Sequence, residues 1–202
     1  ALSVAISSEK LVGGPFMLPL RVVAVGGEAY EINRSNDLIA LRLKLNYTYC
    51  GGRENWTMEC PNTEPSQGSV ENLFDSKYGT FWCTKWKDSK PAPPHVLTLD
   101  LGTTHEIHGL AFGARCDVDA SGNPTKVRDG MIHKCEVSVS YDNTSWISAG
   151  EYELSAVSLE NPQAELFFER AFYGCYVRIN VTSCYYANGS TGFYQCGFSE
   201  LN

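Results

Sequence analysis

The 202-residue chain is 43% hydrophobic and 12% aromatic, with a net charge of −7. Those are values of a folded protein, and they exclude the disordered class. No basic block interrupts the acidic balance, so a nucleic-acid footprint is excluded and an anionic membrane surface is disfavoured.

The most apolar stretch, residues 11–25, is broken by Gly13, Gly14, Pro15, Pro19 and Arg21. It is too short and too interrupted to span a membrane. It also lacks the basic leader of a signal peptide, so Ala1 is expected to lie at or beyond a cleavage point. Long helical patterns are absent from the whole chain. Short period-two segments alternate instead with Gly, Pro, Asn and Ser clusters, the pattern of a β-sandwich or barrel.

Residues 18–25 read as a first strand and residues 38–49 as a second. In the second, Ile39, Leu41, Leu43, Leu45, Tyr47 and Tyr49 share one face, while Arg42, Lys44, Asn46 and Thr48 share the other. A polar loop closed by Cys50 and Cys60 follows, then a linker over residues 61–68. Residues 1–66 are therefore expected to form an N-terminal β extension, and residues 67–202 the main domain.

Residues 72–102 organise the rest. Asp75, Thr80 and Trp82 lie within one tight turn, after which residues 95–101 alternate cleanly and stop at Gly102. A carboxylate, a hydroxyl and nearby carbonyls suit a hard cation such as Ca²⁺. Further strands are expected at residues 107–114, 132–141, 165–168 and 176–181. In the last, Cys175, Val177, Ile179 and Val181 point one way. Cys135 and Cys175 both fall on apolar faces and are expected to be able to meet.

Eight cysteines, Cys50, Cys60, Cys83, Cys116, Cys135, Cys175, Cys184 and Cys196, form an even set with no C-x-x-C pair. Disulfides are thus the better reading than zinc. Six N-x-S/T acceptors begin at Asn33, Asn46, Asn55, Asn143, Asn180 and Asn188. Together they point to a secreted protein or the extracellular face of a cell.

Catalysis has little support. His95, His105, His108 and His133 lie on or beside expected strands, with no nucleophile elbow, phosphate loop or metalloprotease helix. Trp82, Trp86 and Trp146 read as packing residues. The segment between Cys184 and Cys196 carries Tyr185, Tyr186, Phe193 and Tyr194, an aromatic cluster of the kind that marks binding surfaces on loop tips. Those two cysteines are expected to pair across it.

Taken in order, residues 69–202 resemble the discoidin family, also called the coagulation factor V/VIII type C domain. The pieces are Asn72-Leu73-Phe74-Asp75, Thr80-Phe81-Trp82, Leu97 through Gly102, Ile107 through Leu110, Val137 through Asp142, Tyr176 through Ile179, and Ser199 through Asn202. The closest match is to carbohydrate-binding modules with the galactose-binding-domain-like fold. The resemblance implies an all-β antiparallel jelly-roll sandwich that binds ligands with loops at one end. It also implies a structural Ca²⁺ held by Asp75, Thr80 and Glu200. At the sugar end it nominates Arg115, Asp129 and an aromatic among Tyr185, Tyr186, Phe193 and Tyr194. The chain departs from galactose-binding relatives at Cys83, where they tend to have His, and Cys83 could join Cys116 across the ligand loops.

The expected function is non-catalytic recognition or adhesion, with a glycan or a cell-surface protein as partner. Phospholipid binding is a third reading, for which Phe81 and Trp86 beside Lys85 and Lys87 are the candidate spikes.

Overall fold

The computed structural model describes residues 16–21, 38–43 and 49–202. The chain divides into two compact units, residues 1–48 and residues 49–202. In the first, β1 (Phe16–Arg21) and β2 (Leu38–Leu43) pair antiparallel, with Phe16 opposite Leu43 and Arg21 opposite Leu38. The two expected strands are present there. Residues 22–25 and 44–48, with Asn33 and Asn46, lie outside the described residues.

The second unit is an antiparallel β-sandwich with almost no helix. Its strands are β3 (Thr57–Glu59), β4 (Trp82–Cys83), β5 (His95–Ala114), β6 (Cys116–Val118), β7 (Pro124–Val127) and β8 (Ile132–Ser140). They continue with β9 (Ile147–Glu153), β10 (Gln163–Tyr185), β11 (Thr191–Phe193) and β12 (Gly197–Leu201). Short 3-10 turns at Arg53–Asn55 and Val70–Phe74 are the other regular elements described here.

β5 and β10 are long and bent, and each serves both layers. The first part of β5 pairs with β3 on one side and with Tyr176–Val181 of β10 on the other. β8 and β9 extend that layer beyond β10. The second part of β5 pairs with Gln163–Phe167 of β10 and with β12, which in turn carries β4. The break expected at Gly102 is thus a bend rather than an end. Gly102 takes φ +72°, a left-handed conformation that suits glycine. The Asp100 carboxylate accepts its N–H at 2.8 Å. Residues 49–66, expected within the extension, instead belong with the sandwich, because β3 completes an edge beside β5.

Alternation decides what is buried. Leu97, Leu99 and Leu101 turn inward from β5, Val137 and Val139 from β8, and Val177, Ile179 and Val181 from β10. Trp82, Phe112 and Phe198 close the opposite layer. Phe198 sits 5.4 Å from Trp82 and 5.5 Å from Phe112, ring centre to ring centre. Trp82 is a core residue, as its neighbourhood predicts.

Candidate functional site

The turn that follows Val70–Phe74 is anchored by Leu73, which is fully buried. Past it, the Thr80 hydroxyl lies 3.0 and 2.8 Å from the two Asp75 carboxylate oxygens and 3.1 Å from the Lys77 carbonyl. The Lys77 N–H donates to Asp75 Oδ1 at 3.0 Å and to Glu200 Oε1 at 2.8 Å. Asp75, Thr80 and Glu200 therefore meet, although Glu200 is far away in sequence. Arg53 joins them. Its guanidinium donates to the Leu73 carbonyl at 3.2 Å and forms an ion pair with the other Glu200 oxygen. Burial pushes the Glu200 carboxyl above its ordinary range, and Arg53 and the Lys77 N–H pull it partly back.

A second cluster links the segments around Phe81, Arg115, Asp129 and Ala187. The Arg115 guanidinium stacks over the Phe81 ring, 3.7 Å from its centre. Burial lowers the Arg115 pKa, opposed chiefly by Cys83 and also by Asp117 and Asp129. The Arg115 carbonyl accepts the Arg128 N–H at 2.9 Å, and Asp129 Oδ1 accepts the Ala187 N–H at 2.6 Å. Gly130, at φ +111°, packs against the Gly197 backbone, where a Cβ would fall 2.9 Å from its nitrogen. That close approach fixes the Asp129 loop against β12.

Tyr186, Phe193 and Tyr194 make a continuous aromatic row, with successive ring centres 4.9 Å apart. Tyr186 is 40% exposed, and the Lys90 ammonium lies 5.6 Å from the Tyr194 ring centre. Buried His95 holds the row from behind. Asn62 donates to His95 Nδ1 at 3.2 Å, which leaves Nε2–H to donate to the Tyr194 carbonyl at 2.7 Å. Burial depresses the His95 pKa, so the neutral form that this pattern needs is favoured. Tyr185 does not join the row. Its hydroxyl donates to the Leu154 carbonyl at 2.8 Å, and its ring packs on His133 at 4.7 Å. An irregular register at Cys184/Tyr185 turns it inward.

The expected cysteine pairs differ in their geometry: Cys184 and Cys196 touch, whereas Cys135 and Cys175 lie apart along the β8–β10 ladder. All eight are thiols in this structure. Cys83 Sγ lies 3.8 Å from the Gln67 carbonyl and beside Arg115, while the Cys116 N–H faces the Tyr78 carbonyl. Cys135 stands opposite Val181 in the ladder, whereas Cys175 falls at a bulge six residues earlier, with its sulfur 3.2 Å from Thr104 Oγ1. The strand separates those two along its length. Cys184 and Cys196 are both fully buried and in mutual contact; burial, reinforced by Cys184, raises the Cys196 thiol pKa.

His133 bridges Ser183 Oγ at 3.0 Å and Glu153 Oε1 at 3.1 Å, tying β8, β9 and β10 together. Its glutamate is 64% exposed and is shared with Lys134. Phe81 lies under Arg115, so of the two candidate lipid spikes only Trp86, 37% exposed, remains prominent. Sequence reasoning missed Arg53, Lys90 and His95, since each acts across the fold with no local motif to mark it.

Comparison with known proteins fits this geometry. The F5/8 type C domain family model matches residues 57–196. The chain belongs to that family. This F5/8 type C domain is 34% identical over 113 residues to a galactose oxidase of Gibberella zeae, covering 55% of the chain and 15% of that protein. It is 29% identical over 114 residues to a sialidase of Micromonospora viridifaciens, covering 54% and 16%. The match thus spans under a fifth of each relative's length.

Among solved structures, it resembles the family 32 carbohydrate-binding module of Clostridium perfringens NanJ, solved in complex with galactose. That likeness has a TM-score of 0.55 and 21% identity, covering 74% of this chain and 93% of the other. A second C. perfringens module, solved with GalNAc-β-1,3-galactose, gives a TM-score of 0.57 and 21% identity over 74% and 95%. These likenesses establish the galactose-binding-domain-like sandwich. Among the described residues, no helix is long and apolar enough to cross a membrane.

Proposed function

We propose that this F5/8 type C domain is a non-catalytic glycan-binding module that takes a galactose-type sugar at the loop end. The observation that carries the reading is the row Tyr186–Phe193–Tyr194, with Tyr186 exposed, flanked by Lys90 and tied to the Asp129 loop through the Ala187 N–H. A pyranose offers an apolar C–H face to a ring and hydroxyls to charged donors and acceptors. The galactose and GalNAc-β-1,3-galactose bound by the two similar modules make those sugars the first probes. Cys83 in place of a histidine removes one ring-nitrogen partner and shifts the polar recognition toward Arg115.

Titration calorimetry with both sugars tests this, alongside Tyr186→Ala and Arg115→Gln. Each variant is expected to weaken binding at least about tenfold, or ~1.4 kcal/mol, with an unchanged far-ultraviolet circular dichroism spectrum. Wild-type protein that binds neither sugar, nor any member of a glycan array, would sink the reading.

One observation favours a second reading. The Asn188 acceptor sits on the exposed tip beside Tyr186, its Oδ1 accepting the Ser190 hydroxyl at 2.7 Å. A glycan there would overhang the aromatic row and leave a protein partner on the cell surface as the ligand. Capture that persists under sugar competition would select it.

The extracellular setting is part of the same proposal. Exposure of Asn55, Asn143 and Asn188 supports it, as does the contact between Cys184 and Cys196, the pair expected to oxidise to a disulfide. Closing that loop stabilises by about 3 kcal/mol in the chain-entropy account. Non-reducing peptide mapping of secreted protein is expected to recover a linked Cys184–Cys196 peptide; free thiols at both positions would refute the pairing.

A further inference from the structure

The family resemblance places a divalent cation in the Asp75–Thr80 turn, but the donor set here is arranged for something else. A calcium ion takes six to eight oxygens whose lone pairs face it at about 2.3–2.6 Å. In this turn the Lys77 N–H points at both carboxylates, 3.0 Å from Asp75 Oδ1 and 2.8 Å from Glu200 Oε1. The remaining Glu200 oxygen pairs with the Arg53 guanidinium, which also reaches the Leu73 carbonyl at 3.2 Å and Ser76 Oγ at 3.5 Å. Arg53 and Glu200 side chains are only 18% and 9% exposed. Asp75 Oδ1, both Glu200 oxygens and the Leu73 carbonyl are thus engaged by N–H groups, and a permanent positive charge already lies among them.

We propose that the Arg53 guanidinium stands in for the divalent cation, crosslinking the Leu73–Ser76 turn to Glu200 of β12 and making the fold independent of calcium. A guanidinium suits the role, because it is planar, always charged and carries five donors in a fixed fork. It offers its positive charge from within the chain, so no ion concentration sets its occupancy. The residue reaches the site because β3 is built into the sandwich edge, which places the preceding Arg53–Asn55 turn beside the C-terminal strand. Without Arg53, Glu200 would be a buried carboxylate lacking its cationic partner, which is strongly unfavourable. The inference does not depend on the sugar reading.

Thermal melts of wild type, Arg53→Ala and Arg53→Lys, each in EDTA and in millimolar CaCl₂, test it together with Tb³⁺ luminescence. Wild type is expected to melt at the same temperature in both buffers and to give no sensitised Tb³⁺ emission. Arg53→Ala is expected to melt about 10 °C lower in EDTA. Calcium should recover part of that loss, because the Glu200 oxygen and the Leu73 carbonyl that Arg53 occupied are then open to it, while the Lys77 N–H still engages the other Glu200 oxygen and Asp75 Oδ1; Arg53→Lys should fall between. A wild-type midpoint that drops in EDTA, or stoichiometric calcium binding by wild type, overturns the proposal. So does an Arg53→Ala protein that melts like wild type or ignores calcium. Should Arg53→Ala fail to fold, the wild-type pair of measurements still decides.

Discussion

Phe198→Ala is expected to lower the free energy of unfolding by about 3–5 kcal/mol, the cost of emptying a large aromatic site in a close-packed core. Phe198 is fully buried on β12 and touches both Trp82 of β4 and Phe112 of β5. It therefore holds three strands of one layer at once, and a cavity there has rigid aromatic walls that collapse poorly. The loss should appear as a lower guanidinium midpoint with little change in slope. Phe198→Leu, which keeps most of the volume, should cost roughly half as much or less. Because β12 also carries Glu200 and abuts Gly130, a destabilised Phe198→Ala protein should bind its ligand more weakly as the loop end loosens. An unfolding free energy within about 1 kcal/mol of wild type would show that the closing strand is not structurally essential.

Glu64→Gln is expected to have the next largest effect, and one that depends on pH. Glu64 is only 3% exposed, and its carboxylate gathers two loops. Oε1 accepts the Ser66 hydroxyl at 2.6 Å and the Ser66 N–H at 3.1 Å. Oε2 accepts the Trp86 and Lys87 N–H groups at 3.1 and 3.3 Å. The Ser66 hydroxyl is the largest cause of a carboxyl pKa held down to about 2, followed by the Trp86 N–H. A depressed carboxyl stabilises the fold fully above its ordinary value of 4.5 and loses that contribution as the pH falls through about 2. Wild type should accordingly lose stability between about pH 4.5 and 2. Glu64→Gln, which sets an amide among four donors, should be less stable at pH 7, with the gap closing over that same acid range. Parallel melts of the two proteins from pH 7 to pH 2 would show it; a constant gap at every pH would refute the assignment.

Much of the sandwich was legible in the sequence because burial on one face of a strand leaves a period of two. Leu97, Leu99 and Leu101, Val137 and Val139, and Val177, Ile179 and Val181 declare both their strands and their inward faces. The order of family motifs then identified the type of sandwich. The aromatic row was legible in part, since Tyr186, Phe193 and Tyr194 do line up. Tyr185 did not follow, because a register irregularity beside Cys184 reverses its direction, and a one-residue slip is invisible to composition. The Gly102 signal was real but ambiguous. A left-handed glycine can end a strand or bend it, and only the pairing with β10 shows that it bends.

Local sequence determined the strands, their buried faces and the turn at Asp75, because each depends on residues close together in the chain. The tertiary structure decided which distant groups meet. It brought Arg53 and Glu200 to one turn, separated Cys135 from Cys175, and set Glu64 beneath the Trp86 loop. It also backed Tyr194 with His95. Partners such as these are chosen by β5 and β10 crossing from one layer to the other, a feature set by the whole ladder and not by any one segment. Charge pairs and hydrogen bonds of that kind leave no periodic trace, since their spacing along the chain is whatever the topology happens to make it.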